Sequence, residues 1–175
     1  MWIWLLLIAG VVAIDQATKW LVIANMELHE SIVVIPDVLN WTYTRNLGAA
    51  MGMLSEQRWV FMILSSVAIV LILWYLFKNY KESRFADLSL SLIVGGGIGN
   101  MIDRVFYEEG VIDFVDFCAF DFWTYIFNFA DACVCVGGGM LMLWCIIALI
   151  KESKQNKQKE SEPIENLGGD NPTNE

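Results

Sequence analysis

Four stretches of this chain are too apolar, over too great a length, to be anything but membrane-crossing helices. A helix needs about 20 mostly apolar residues to cross the hydrocarbon core of a bilayer. The stretch 59–77 carries no charged residue at all. Stretches 2–24, 86–105 and 130–150 have similar lengths, although the first and third contain polar groups. Hydrophobic residues make up 57% of the 175, more than a water-soluble domain of this size uses. The formal net charge of -9 and the lack of basic clusters suited to phosphate exclude a nucleic-acid partner.

The distribution of Lys and Arg sets the expected direction of each span. Lys78, Lys81 and Arg84 lie between spans two and three, and Lys151, Lys154, Lys157 and Lys159 follow span four. The connection between spans three and four instead gathers Glu108, Glu109, Asp113, Asp116 and Asp121. Both termini and the second connection are therefore expected in the cytoplasm, with the first and third connections outside. Trp20, Trp59, Trp123 and Tyr125 fall near the outer boundary, as an aromatic belt does. No Lys or Arg precedes the first apolar run, and apolar residues resume after Lys19. That run is expected to be a retained span rather than a cleaved leader.

The outer connection 25–58 is long enough to hold structure. Residues 32–35 and 38–44 are β-branched and aromatic, with Pro36-Asp37 between them as a turn. Short strands on the membrane surface are expected there, and a short interfacial helix over 48–54. The expected fold is an all-α membrane protein with four transmembrane helices and a small extracytoplasmic β-platform. Residues 1–150 form the membrane domain, and residues 151–175 a polar, disordered cytoplasmic tail.

Five polar clusters interrupt the apolar chain. They are Asp15-Gln16-Ala17-Thr18-Lys19, Asn46-Leu47-Gly48-Ala49-Ala50, Gly99-Asn100-Met101-Ile102-Asp103-Arg104, Val111-Ile112-Asp113-Phe114 and Phe127-Asn128-Phe129-Ala130-Asp131. Ionisable groups in a span are costly and read as functional by default. The expected topology puts all five at one membrane face. Asp15 and Lys19 are four residues apart and share a helix face, which favours a bracing ion pair over a reactive one. Asp103 could pair with Arg104 or satisfy backbone groups at the bend after span three. Gly95 and Gly99 allow close helix approach. Asp113 could be a turn former, or, given Val111, Ile112 and Phe114 around it, a partly desolvated acid in a segment dipping back on the bundle. Asn128 is a candidate N-cap for span four, and Asp131 then lies near the positive helix end.

Two neighbouring carboxyls cannot both ionise cheaply, so they share a proton. Such a pair can hydrolyse an amide: one carboxylate deprotonates water and the other, protonated, activates the carbonyl. The only histidine, His29, lies outside the clusters, and no serine in them sits beside a base. The cysteines Cys118, Cys133, Cys135 and Cys145 have no zinc-ligand spacing with His29. No metal or cofactor is therefore expected. A proton-coupled carrier is the rival class, but carriers usually show duplicated halves and mid-membrane acids.

Taken in order, the five clusters resemble the motifs of the prolipoprotein signal peptidase (signal peptidase II) family, over residues 2–150. The resemblance implies a metal-independent aspartic endopeptidase of the bacterial inner membrane. Its substrates would be diacylglyceryl-modified prolipoproteins, cut just before the lipidated cysteine. It implies Asp113 and Asp131 as the catalytic pair. Asn46, Gly48, Asn100, Arg104 and Asn128 would line or order the site, with Asp15, Lys19 and Asp103 in support. Membrane lipid and globomycin-type inhibitors are the other implied partners, and no obligate protein partner is implied.

The topology is testable by labelling single-cysteine variants in intact cells. Positions 37 and 121 should react with a membrane-impermeant reagent, and positions 81 and 160 only after permeabilisation. Labelling of position 81 from outside would overturn the assignment.

Overall fold

The computed structural model describes residues 1–46, 58–79, 83–120 and 125–161. The elements run α1 (Trp2–Asn25), β1 (Ser31–Ile35), β2 (Leu39–Asn46), α2 (Arg58–Asn79), α3 (Arg84–Phe106), β3 (Val111–Phe117), β4 (Ile126–Phe127) and α4 (Phe129–Ser161). Among the described residues, four helices are long and apolar enough to cross a membrane, as the apolar runs predict. The interfacial helix expected over 48–54, and with it Gly48, lies outside the described residues.

The strands form one antiparallel sheet in the order β1-β2-β3-β4. The β1–β2 hairpin matches the expectation, with Asp37 at φ 59° in its turn. The segment after α3 differs from it. Asp113 lies in β3, in the interior of the sheet, and not in a loop. Val111, Ile112, Phe114, Val115 and Phe117 favour extended backbone, and β2 supplies the partner, with Thr44 opposite Asp113 and Asn46 opposite Val111. That pairing joins segments far apart in the chain.

The chain falls into two compact units, Met1–Leu141 and Met142–Glu175. All the polar clusters belong to the first. α4 continues to Ser161 in the second, so residues 151–161 are helical where their composition suggests a disordered tail. Lys, Glu and Gln are good helix formers, and a helix emerging from an apolar span needs no new nucleus.

Within the first unit α3 is the central helix. Gly95 lies against Val11 and Gly99 against Asp15, so α1 and α3 run parallel and end at the same level. Gly96 lies against Ala130 and Gly137 against Ser89, so α4 runs antiparallel to α3 and begins beside Gly96 and Gly99, short of where α3 ends. A Cβ on Gly99 would meet the Asp15 carboxylate, and one on Gly96 the Ala130 carbonyl. These glycines let a buried acid and a helix start approach the α3 backbone directly. One apolar cluster joins Ile8, Leu76, Leu90 and Val94 from α1, α2 and α3. A second joins Val22 and Met26 of α1 to Tyr43, Ile112 and Phe114 of the sheet. It seats β2 and β3 on the end of α1, which brings the Asp113 strand over the helix ends.

Candidate active site

The site is organised around one buried cation. Lys19 is 1% exposed. Its ammonium donates to Asp15 Oδ2 at 2.8 Å, Asp103 Oδ2 at 2.9 Å and Asn100 Oδ1 at 3.0 Å. An ammonium has three N–H donors, and all three are used. The expected Asp15–Lys19 pair thus gains a second acid from α3. Asp103 turns its Oδ2 to Lys19, while Arg104 feels its charge. Its Oδ2 also accepts from Ile112 N at 3.1 Å, which meets the backbone beyond the bend.

From Lys19 the network reaches both candidate acids. Asn100 Oδ1 accepts from Lys19 and from Asn128 Nδ2 (3.0 Å), so the Asn100 amide N–H faces Asp131 and donates to its Oδ1 at 2.8 Å. Asn128 Oδ1 accepts from Asp131 N at 2.9 Å, while Asp131 Oδ2 accepts from Asn128 N at 3.3 Å. This reciprocal arrangement is a capping box at the start of α4. It fixes the Asn128 amide so that Nδ2 donates to Asp113 Oδ1 at 2.6 Å and to Ile112 O at 3.2 Å. Asn46, at the end of β2, donates to Asp113 Oδ2 at 3.0 Å. Each candidate acid therefore receives amide donors from more than one element.

Asp113 is 1% exposed. Burial, reinforced by the Asp131 charge, raises its pKa from 3.8 to about 7; the Asn46 and Asn128 hydrogen bonds and the Lys19 charge only partly oppose this. Among the described residues, the carboxyls of Asp15, Asp103, Asp113 and Asp131 outnumber the cations in contact with them, Lys19 and Arg104. A proton kept on Asp113 relieves that imbalance. Arg104 donates to Asn100 O at 3.2 Å and interacts with the charges of Asp131 and Asp113.

The structure thus gathers Asp15, Lys19, Asn46, Asn100, Asp103, Arg104, Asp113, Asn128 and Asp131 at one end of the helices. Two contributors are not singled out by sequence reasoning. Gln16 Nε2 donates to Asp103 Oδ1 (2.9 Å), Asp15 Oδ2 (3.2 Å) and Gly99 O (3.2 Å); an amide beside Asp15 inside a span was the available signal. Tyr125, assigned to the aromatic belt, is half-buried beside β4. Burial and the Asp131 and Asp113 charges push its phenol up to about 12, so it stays protonated near the two acids. Asp116 faces elsewhere, accepting from Thr42 Oγ1 at 2.8 Å.

Comparison with known proteins bears on this arrangement. The family model described as signal peptidase (SPase) II matches residues 7–147. A lipoprotein signal peptidase of Halalkalibacterium halodurans is 42% identical over 151 residues, covering 86% of this chain and 94% of that protein. Two solved structures, described as bacterial membrane enzyme structures by the in meso method, share the fold. One, at 2.3 Å resolution, has a TM-score of 0.77 and 32% identity, covering 94% of this chain and 96% of its own. The other, at 1.9 Å, has a TM-score of 0.74 and 34% identity, covering 86% and 94%.

The Asp113 environment has a consequence for stability. A carboxyl at about 7 in the folded protein and 3.8 unfolded stabilises the fold fully below 3.8, and that contribution is lost as pH rises to about 7. Asparagine has no proton to lose. The melting temperature of Asp113→Asn, measured relative to the parent, should rise steadily between about pH 4 and about pH 7 and then level off. A difference independent of pH would show that Asp113 ionises as an ordinary acid.

Proposed function

The chain belongs to the signal peptidase II family, and from that premise we propose that it is an aspartic endopeptidase working through Asp113 and Asp131. It is a multi-pass bacterial membrane protein that removes signal peptides from prolipoproteins. The observation that carries the aspartic assignment is the pair of carboxyls held by amide donors at one end of the helices, with Asp113 protonated up to about neutrality.

In this reading Asp131 is the base. It takes a proton from water as the water oxygen bonds to the scissile carbonyl carbon. Asp113 donates its proton toward the carbonyl oxygen, which stabilises the tetrahedral intermediate. Collapse of that intermediate breaks the C–N bond; the proton gathered by Asp131 passes to the leaving nitrogen, and the former carbonyl oxygen returns its proton to Asp113. The Asn100 and Asn128 donors hold the two acids in place, and neither amide is consumed. Arg104 compensates the negative charge of the pair. The pair is coupled, so its apparent pKa values belong to both acids together.

The substrate is a prolipoprotein whose cysteine already carries a diacylglyceryl group, cut just before that cysteine. This follows the motif resemblance and fits the architecture. A lipidated cysteine anchors at the membrane surface, while its signal helix spans the bilayer. The site lies in the half of α1 and α3 that faces the sheet. β1 exposes Ile32, Val33, Val34 and Ile35, and β2 exposes Trp41, an apolar platform suited to the lipid interface. The Lys/Arg distribution supports an extracytoplasmic site with both termini inside. Globomycin-type inhibitors would compete at the dyad.

Asp113→Asn and Asp131→Asn should each lower cleavage of a lipidated precursor by roughly 10⁴-fold or more, and the double variant should be no worse than either. Asp116→Asn should retain most activity. Activity should fall as pH rises through about 7, where Asp113 loses its proton. Chelator should leave the rate unchanged. Strong cleavage by a folded Asp131→Asn protein, or inactivation by chelator alone, would end the paired-aspartate reading.

A further inference from the structure

The reaction uses two of the four clustered acids and leaves Asp15 and Asp103 without a chemical role. Neither is placed to meet a substrate. Both are fully buried, at 0% exposure. All four of their oxygens are engaged. Asp15 Oδ2 accepts from Lys19 and Gln16, and Asp103 Oδ1 from Gln16. What remains is specific. Asp15 Oδ1 accepts from Ala130 N at 3.0 Å, and Asp103 Oδ2, besides Lys19, accepts from Ile112 N at 3.1 Å. Ala130 immediately precedes Asp131, and Ile112 immediately precedes Asp113.

We propose that Asp15 and Asp103 are positioning residues: tied to each other through Lys19, each holds the peptide N–H just ahead of one working aspartate, so a single ammonium couples the two backbones that carry the pair. The proposal rests on the assignment of Asp113 and Asp131 as that pair.

The two arms share a construction. On the Asp113 side, Ile112 is held at both ends of its backbone, its N–H by Asp103 and its carbonyl by Asn128. On the Asp131 side, Ala130 N–H is held by Asp15 and Asp131 N–H by Asn128. Hydrogen bonds to charged acceptors are shorter and stronger than neutral ones. The two carboxylates meet on one nitrogen, at 2.8 and 2.9 Å, and Gln16 Nε2 bridges them a second time. The Asp113 strand and the start of the Asp131 helix are joined directly by the pairing of β3 with β4 and by Asn128. The triad adds a second link between them, anchored on α1 and α3. If the triad only stabilised the fold, there would be no reason for both carboxylates to end on the residues preceding the two acids. A misplacement of about 1 Å in a reacting group can cost about a hundredfold in rate.

The test uses the full-length enzyme in detergent with a lipidated precursor, comparing Asp15 and Asp103, each changed to Asn and to Leu. Asn keeps one oxygen for the backbone N–H but loses the charge that binds Lys19; Leu loses both. The expected result is a loss of kcat per folded enzyme of roughly 100-fold for the Leu variants and roughly 10-fold for Asn, with KM within about threefold of the parent. Infrared spectroscopy adds a readout that bulk stability does not move. The protonated carboxyl band that vanishes in Asp113→Asn should shift in the Asp103 variants and stay in place in the Asp15 variants. Where Leu variants do not fold, the Asn variants decide. Parental kcat in Asp15→Asn and Asp103→Asn, or an unmoved band in every folded Asp103 variant, overturns the proposal. Asp113→Asn and Asp131→Asn run in parallel. If either is active, the dyad assignment itself fails; if both are inactive while the Asp15 and Asp103 variants work normally, only the positioning role fails.

Discussion

A lysine ammonium fully removed from solvent inside a membrane span is the constraint on which the rest of this structure depends. The desolvation of such a charge costs several kcal/mol, by order of magnitude, unless every N–H finds a good acceptor. Lys19 finds three, on two helices: Asp15 from its own, and Asp103 and Asn100 from α3. Meeting that demand requires α1 and α3 to run parallel, to end at the same level and to approach closely. Gly95 and Gly99 permit the approach. Besides Lys19, its acids accept from Gln16 and from two backbone donors that cross above them, Ile112 N in β3 and Ala130 N at the start of α4.

Charge and chemistry are separated in this arrangement. Asp15 and Asp103 share the charge of Lys19 and make structural bonds. The acids assigned to catalysis receive amide donors, and Asp113 is held protonated up to about 7 by burial and by Asp131. An amide donor orients a carboxyl without supplying a full positive charge. A lysine paired directly with Asp113 would favour its ionised form and remove the proton that amide hydrolysis needs. The two asparagines therefore carry the influence of Lys19 to the pair in attenuated form. Their orientations are set by the network, since each amide oxygen is claimed by a donor before its N–H groups are assigned.

Much of this was legible in the sequence, wherever the signal was local. The four spans follow from run length, the β1–β2 hairpin from β-branched runs around Pro36-Asp37, the Asp15–Lys19 pair from helical spacing and the Asn128 cap from its distance to Asp131. The rest depends on partners remote in the chain. Asp103 had two readings open; it accepts from the Ile112 N–H beyond the bend, and its further partner, Lys19 on a different helix, was in neither reading. Asp113 reads as a loop acid because aspartate is a common turn former, yet β2 pairs with that segment and makes it a strand. Gln16 was hidden beside the more conspicuous Asp15. Residues 151–161 have a tail-like composition, but the apolar span before them propagates the helix.

The most direct measurement of the central claim is an infrared titration of the protein in membranes, from about pH 5 to about pH 9. The account predicts a protonated buried carboxyl that loses its proton at about 7, is absent in Asp113→Asn and is altered, though still present, in Asp103→Asn. A protein with no such carboxyl in this range, or one in which the band persists in Asp113→Asn, would contradict it.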